Sequence, residues 1–269
     1  MNDAVDIFAD NSSTPSSKTD GFSNNITAST ITSKRISIRD NAFRLMVNGQ
    51  EIDKSDEDYL DVIIINASPY VHRMYYDADY VPGIKVNPPV CWSSNSINPD
   101  SKVESPQAKT CVQCPQNIKG SGPRGTKACR FSRRIAVVKA DDIEGDIYQV
   151  TLPAQSIFGT GTHERKPLHQ YTDYVRANGQ TLMSIVSRMS FDMHAQNTKI
   201  GFKPIKIITD EDYRVCSDKS LSEDATRAIE LTVNVNSEDL KNVFLSEENK
   251  SPVADSGVLD FQDLLSAWK

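Results

Sequence analysis

The sequence predicts a mainly β fold of the α+β class, built as an antiparallel barrel or curved sheet with one long inserted loop. Short β-branched and aromatic runs recur between residues 34 and 208, and turn-forming residues separate them. Only residues 168–177 in that region have apolar side chains at helical spacing. Residues 91–129 are rich in Pro, Gly, Ser and Asn and follow neither pattern, which indicates a loop inserted between strands.

The first predicted strands precede this loop. Residues 35–39 alternate polar and apolar side chains, and residues 43–47 lead to Asn48-Gly49, a dipeptide typical of hairpin turns. Residues 59–66 contain a short β-branched run, which favours a central strand. Residues 71–80 are also strand-like. The tyrosines in or beside this segment predict either an exposed stacking face or ordinary strand packing: Tyr70, Tyr75, Tyr76 and Tyr80.

The second half of the chain adds further strands and two helices. Asn178-Gly179 supplies a C-terminal stop for the helix predicted over residues 168–177. Ser222 is a suitable N-cap for a second helix over residues 222–231. The remaining strand-like segments are residues 135–138, 146–152, 183–191 and 199–208.

Composition divides the chain into four parts. Residues 1–33 are rich in Ser, Thr, Asn and Asp, which predicts a disordered N-terminal arm. Residues 34–212 form the predicted β domain, and residues 213–245 a short helical extension. Residues 246–269 read as an acidic linker and a C-terminal docking peptide. As a helix, that peptide gathers its large apolar side chains on one face: Phe261, Leu264, Leu265 and Trp268.

Overall composition excludes several classes of protein. A hydrophobic content of 38% supports a folded core, and a net charge of −6 argues against coating of duplex DNA over the whole surface. The sequence shows no signal peptide and no apolar run of membrane-spanning length, so a soluble cytoplasmic protein with no membrane partner is expected. The five cysteines fit a reduced compartment better than disulfide bonds.

Four of the cysteines have the spacing of a metal site. Cys91, Cys111, Cys114 and Cys129 follow the pattern C-x19-C-x2-C-x14-C. The C-x2-C pair can direct two sulfurs at one ion, and the outer cysteines can complete a tetrahedral Zn²⁺ shell. A loop of this length without an apolar core of its own needs such a cross-link to hold its shape. The sequence therefore predicts a Zn²⁺ cofactor bound by these four side chains, with Cys216 as a spare thiol.

The same stretch carries the main cluster of positive charge. No Asp or Glu occurs from residue 105 to residue 140. We call the cations of this window the basic island: Lys109, Lys119, Arg124, Lys127, Arg130, Arg133, Arg134 and Lys139. Clustered Lys and Arg suit phosphate binding, and neighbouring rings suit base stacking. The alternative is a purely structural zinc loop whose charge keeps it soluble.

Ten residues are candidate nucleic-acid contacts. The cations are expected to hold phosphates, and aromatic side chains beside the outer cysteines or on the tyrosine-rich strand are expected to stack on bases. Arg133 and Arg134 are adjacent at the start of a predicted strand, so one of the two is expected to face inward as an alternative to binding phosphate. The candidates are Arg73, Tyr75, Trp92, Lys119, Arg124, Lys127, Arg130, Phe131, Arg133 and Arg134.

The sequence offers little support for an enzyme. A shell of four cysteines leaves no open coordination position for a catalytic metal. The four histidines show no metalloprotease or deaminase spacing. Residues 156–162 contain two glycines but lack the ending of a nucleotide-binding loop. The run Asp210-Glu211-Asp212 could hold Mg²⁺, yet adjacent carboxylates more often form a solvated turn.

The runs CVQCPQNIKGSGPRGTKACRFSRRIAVV and DIYQVTLPAQSIFG resemble a family of replication-associated proteins of tailed phages with a four-cysteine loop. The resemblance covers about residues 35–210 and implies single-stranded-DNA binding. The chain is also similar to a wider group of proteins that build a zinc site into an OB-type barrel, such as replication protein A and the single-stranded-DNA-binding protein of large myophages. Those proteins use other ligand spacings, so this similarity implies an OB-fold-like architecture but assigns no ligands.

The leading hypothesis is therefore a non-catalytic single-stranded-DNA-binding protein of a phage replication or recombination system. The zinc-stapled basic loop would hold phosphates, and aromatic side chains would stack on bases. The C-terminal peptide would recruit a phage polymerase or helicase. The alternative is a zinc-ribbon adaptor or transcription modulator that binds a polymerase.

Overall fold

The computed structural model describes residues 33–77, 88–195 and 198–233. The N-terminal arm and the C-terminal docking peptide predicted from composition lie outside these residues, apart from Ser33. The described part is mainly β, with a curled mixed sheet of ten strands that forms a half-barrel. No helix in the described part is long and apolar enough to span a bilayer.

Eight of the ten described strands overlap the strand-like segments of the sequence, whereas Gln50–Lys54 and Cys91–Ser93 were not predicted as strands. In chain order the strands are β1 (Lys34–Arg39), β2 (Ala42–Val47), β3 (Gln50–Lys54), β4 (Tyr59–Ala67), β5 (His72–Tyr75), β6 (Cys91–Ser93), β7 (Arg130–Lys139), β8 (Tyr148–Pro153), β9 (Ile185–Phe191) and β10 (Ile200–Ile207). In sheet order the main path is β10-β9-β4-β7-β8-β1-β2-β3, and β5 pairs with β6 and with the first residues of β7.

The sheet departs from the predicted antiparallel barrel in one pairing. Strands β1 and β8 run parallel, with Ile36 opposite Val150. About a hundred residues separate these strands, so no local turn determines their relative direction. The sheet is consequently mixed, whereas a predominantly antiparallel barrel was predicted from the sequence.

Two tight turns organise the first three strands. Asp40 and Asn41 join β1 to β2 with φ values of 53° each, and Asn48-Gly49 joins β2 to β3 with φ values of 51° and 84°. Two successive residues in the left-handed region are typical of hairpin turns that match the twist of a sheet. The Asn48-Gly49 turn was predicted, whereas the Asp40-Asn41 turn was not, because it carries no glycine.

In the described part of the chain, four α-helices cover the two faces of the sheet. Helices α1 (Ala154–Ile157) and α2 (Leu168–Ala177) pack on one face, and α3 (Asp210–Ser220) and α4 (Glu223–Ile229) on the other. Helix α2 has the bounds predicted from its spacing. Helix α3 was not predicted: its first turn is the acidic run 210–212, capped by the hydroxyl of Thr209, and carboxylates stabilise that end of a helix.

Strand β7 is the strand that positions the candidate site. It begins immediately after Cys129 and is bordered by β5 and β4 on one side and by β8 on the other. Ile135 and Val137 belong to the core under α1 and α2, whereas Ala136 and Val138 belong to the core under α3 and α4. Side chains alternate along a strand, so odd-numbered residues of β7 face the first layer and even-numbered residues the second.

Candidate nucleic-acid interface

The four candidate zinc ligands lie around one cavity. Cys91 begins β6 opposite Tyr75 of β5, and Cys129 immediately precedes β7. Backbone hydrogen bonds hold the intervening loop: the Cys111 N–H donates to the Ile97 carbonyl at 2.8 Å and the Cys129 N–H to the Gln116 carbonyl at 2.8 Å. All four cysteines line a cavity of about 20 Å³, together with Arg73, Tyr75 and Trp92. The loop thus brings the four cysteines to one cavity, and their role as Zn²⁺ ligands stays a prediction.

The chemistry of this cavity fits a single soft cation. Its volume is close to that of one water-sized sphere, and its donors are sulfur atoms. The thiols are free, and in the described residues no group of three or more Cys, His, Asp or Glu side chains is already arranged to hold a metal ion. The four sulfurs therefore surround a common space without forming a closed coordination shell.

Burial affects the protonation of these thiols. Desolvation raises the pKa of Cys129 to about 11, and it also raises the pKa of Cys91. A buried thiolate is costly unless a cation compensates its charge. Zn²⁺ would supply that charge and cross-link the loop, whereas protonated thiols at the same positions would leave the loop without a covalent or ionic cross-link.

An arginine and a ring stack beside the cavity. The guanidinium carbon of Arg73 lies 4.3 Å from the centre of the Phe131 ring, and Lys127 Nζ lies 5.5 Å from the same centre. Arg73 is opposite Phe131 in the register of β5 and β7. Its Nε and Nη1 atoms are buried and have no hydrogen-bond partner in the described structure. The Arg73–Phe131 pair thus places an unsatisfied cation on an aromatic surface, a combination suited to bases and phosphates.

Exposed cations of the basic island surround this pair. Lys119, Lys127 and Arg130 are exposed, and Lys127 Nζ also donates to the Asn117 side chain at 3.1 Å. Arg124 lies in the short 3-10 helix Pro123–Gly125. The three exposed side chains give the cysteine loop and the start of β7 a positive surface.

Arg133 and Arg134 are placed differently from the other cations. Arg133 donates to the Ser68 carbonyl at 2.7 Å, and its Nη1 lies 3.1 Å from His169 Nε2. Arg134 is only 9% exposed and donates to the Glu230 carbonyl and to the Thr232 hydroxyl. Burial lowers the pKa of Arg134 to about 10. Of the two arginines, Arg134 is the one that packs inward, and its donors are directed at the end of the described chain.

The aromatic candidates divide in the same way. Trp92 is 9% exposed and lines the cysteine cavity, so its ring is not a surface for base stacking. Tyr75 and Phe131 are partly exposed. The structure adds two residues that the sequence reasoning missed, Phe158 and His169, whose rings continue from Phe131. The only nearby feature noted in the sequence was the glycine-containing segment 156–162, which includes Phe158 but lacks the ending of a nucleotide-binding loop.

Comparison with known proteins leaves the site without a template. No family model, no curated protein and no solved structure matches the chain.

Proposed function

We propose that this chain is a non-catalytic single-stranded-DNA-binding protein. Its exposed cations Lys119, Lys127 and Arg130 hold phosphates, and the Arg73–Phe131 pair contacts bases. The curled sheet serves as an OB-type platform, and the cysteine loop is an insertion at its edge. The replication role, and recruitment of a polymerase or helicase by the C-terminal peptide, belong to the same proposal.

One observation carries this proposal. The four-cysteine cavity, the stacked Arg73–Phe131 pair and the exposed Lys127 and Arg130 all meet at the first residues of β7. Cations and an aromatic surface at one place are the combination that non-specific single-strand binding requires. Duplex DNA offers phosphates but keeps its bases stacked inside, so the aromatic part of this surface favours an unpaired strand.

Zinc has a structural role in this proposal. Cys91, Cys111, Cys114 and Cys129 would bind one Zn²⁺, which cross-links the loop that carries Lys119 and Lys127. The loop has two short 3-10 helices and little apolar packing of its own. The ion would therefore fix the positions of the phosphate-binding cations and take no part in a reaction.

Fluorescence anisotropy with single-stranded and duplex oligonucleotides, over a range of salt concentrations, tests the proposal. The informative variant replaces Lys119, Lys127 and Arg130 by Ala. Removal of one cation that binds a single-strand phosphate should lower the slope of log K against log salt by about 0.7, and removal of all three by about 2. The matched control removes the same charge from three exposed cations elsewhere on the sheet: Arg39, Lys54 and Lys206.

Two results would refute the proposal. In the first, the island variant and the control variant have the same salt slope, which would place the binding surface elsewhere. In the second, the wild-type chain binds duplex as tightly as single strand, which would remove the role of the aromatic surface.

A polymerase-binding adaptor is the second candidate function. Val112 and Ile118 on the cysteine loop are 77% and 62% exposed, and exposed apolar side chains suit a protein partner. A wild-type chain that binds neither oligonucleotide, but binds purified RNA polymerase in a manner abolished by Val112→Ser with Ile118→Ser, would favour this function.

A further inference from the structure

Phe158 is an exposed ring beside the proposed binding surface. It follows α1, and its side chain is 40% exposed although it is large and apolar. Its N–H donates to the Ala154 carbonyl at 3.0 Å, and the next residue, Gly159, has a φ of 98°. Leaving such a ring in solvent has a free-energy cost, and an exposed aromatic side chain next to a cationic surface is typical of a binding site.

The ring of Phe158 continues the aromatic surface that begins at Phe131. The Phe131 and Phe158 centroids are 6.0 Å apart, and the Phe158 and His169 centroids are 5.0 Å apart. Both pairs meet edge to face, with interplanar angles of 83° and 87°. Arg133 lies against His169 at the far end. The three rings therefore form one continuous strip with a cation at each end, Arg73 and Arg133.

Phe158 is more accessible to a base than the rings predicted from the sequence. The guanidinium of Arg73 lies over Phe131 at 4.3 Å, so that ring is only partly exposed. Trp92, another predicted ring, is 9% exposed. A base approaching this strip meets the side chain of Phe158 without displacing a cation.

Neighbouring contacts hold the Phe158 loop in place. Ile157, the residue before it, is fully buried, and the Ser156 hydroxyl accepts from the Ile200 N–H at 2.8 Å. After Phe158, the Gly161 N–H donates to the Gln170 side chain of α2 at 2.7 Å. A Cβ added at Gly161 would collide with the Arg165 carbonyl oxygen. Because the residues on both sides of Phe158 are held, the loop loses little conformational entropy when the ring binds a base.

We infer that Phe158, flanked by His169, is a second base-stacking position that takes an unpaired nucleobase of the strand held by the basic island. This inference rests on the proposed single-strand function and adds a site to it. Stacking on an aromatic face tolerates any base, so the position contributes affinity without sequence preference. The segment 156–162 thereby has a role, as the support of this ring and not as a phosphate loop.

The test compares Phe158→Ala with a matched control, Tyr213→Ala. Tyr213 is also 40% exposed, but it lies on α3, over the opposite face of the sheet. The probe is a labelled poly-dT strand of about 15 nucleotides, long enough for one OB-type site. Phe158→Ala should weaken binding about 5- to 150-fold, the range for loss of one stacked base, with the salt slope unchanged. Tyr213→Ala should bind like the wild type.

Two further measurements separate stacking from other effects. An abasic strand of the same length should bind the wild type and Phe158→Ala equally, because it has no base to stack. Phe158→Trp should keep wild-type affinity, which would show that the position tolerates substitution. Binding of poly-dT should quench the fluorescence of the introduced indole. If the wild type binds poly-dT and Phe158→Ala matches Tyr213→Ala, the inference fails and the proposed function stands. If the wild type does not bind poly-dT, both fail.

Discussion

Substitutions at Arg130 and Arg134 separate an effect on DNA binding from an effect on folding stability. Both belong to β7, both were predicted to contact phosphate, and both lie on its even-numbered side. Arg130 is exposed, whereas Arg134 is 9% exposed and bonded to the backbone near the end of the described chain. Replacement of each by Met removes the charge and the donors while keeping a flexible apolar side chain of similar length.

The structure predicts opposite effects for the two variants. Arg134 donates to Glu230 and, at 3.1 and 3.3 Å, to the hydroxyl and carbonyl of Thr232. Hydrogen bonds from a charged donor contribute about 1.5–3 kcal/mol each, and the cost of burying this guanidinium near Arg35 cancels part of that sum. Arg134→Met should therefore lower the free energy of unfolding by about 1–3 kcal/mol. Arg130→Met should change it by less than about 0.5 kcal/mol.

Urea denaturation and salt-dependent anisotropy measure the two effects in the same protein preparations. For Arg130→Met the slope of log K against log salt should fall by about 0.7, and for Arg134→Met it should remain at the wild-type value. An Arg134→Met protein of wild-type stability with a reduced salt slope would refute this assignment, because it would make Arg134 a phosphate contact. Equal destabilisation of both variants would contradict the difference in burial.

Three further predictions concern the metal site and two buried side chains. Metal analysis should find about one Zn²⁺ per chain, absent from Cys114→Ser but retained by Cys216→Ala, because Cys216 is a fully buried residue of α3 that packs in the second core cluster. Equal metal content in the two variants would contradict the ligand assignment. Burial lowers the pKa of His72 from 6.5 to about 4. Between these pH values the unfolded protein therefore binds more protons at this side chain than the folded protein does. The free energy of unfolding should fall by at most about 3 kcal/mol as the pH drops from 6.5 to 4. Urea titrations of wild type and His72→Gln over this range should show a shallower fall in the variant, and parallel curves would refute it. The buried Tyr171 hydroxyl lies 2.7 Å from Ser187 Oγ, so Tyr171→Phe should lower the free energy of unfolding by about 1–3 kcal/mol. Ser187→Ala should cost less in the Tyr171→Phe background than in the wild type, because the hydrogen bond is already lost. Strictly additive losses would exclude this coupling.

Local patterns in the sequence were sufficient to predict most of the secondary-structure elements. Helix α2 and strand β4 were predicted because their signals, apolar spacing and a β-branched run, lie within the elements themselves. The C-x2-C pair and its flanking partners suggested a common metal site; the four cysteines do line one cavity, and zinc binding there stays a prediction. The concentration of positive charge around them also needs no tertiary information.

The tertiary structure alone decided which of these side chains are accessible. Arg133 and Arg134 are adjacent and chemically identical, and only the phase of β7 between two helical layers makes one buried and the other partly exposed. The same holds for Trp92, which faces the cysteine cavity, and for Phe158, which joins the aromatic strip through contacts with Phe131 and His169. The parallel pairing of β1 with β8 likewise joins segments about a hundred residues apart. Burial and long-range pairing depend on elements distant in the chain, and a local pattern carries no information about which distant element will cover it.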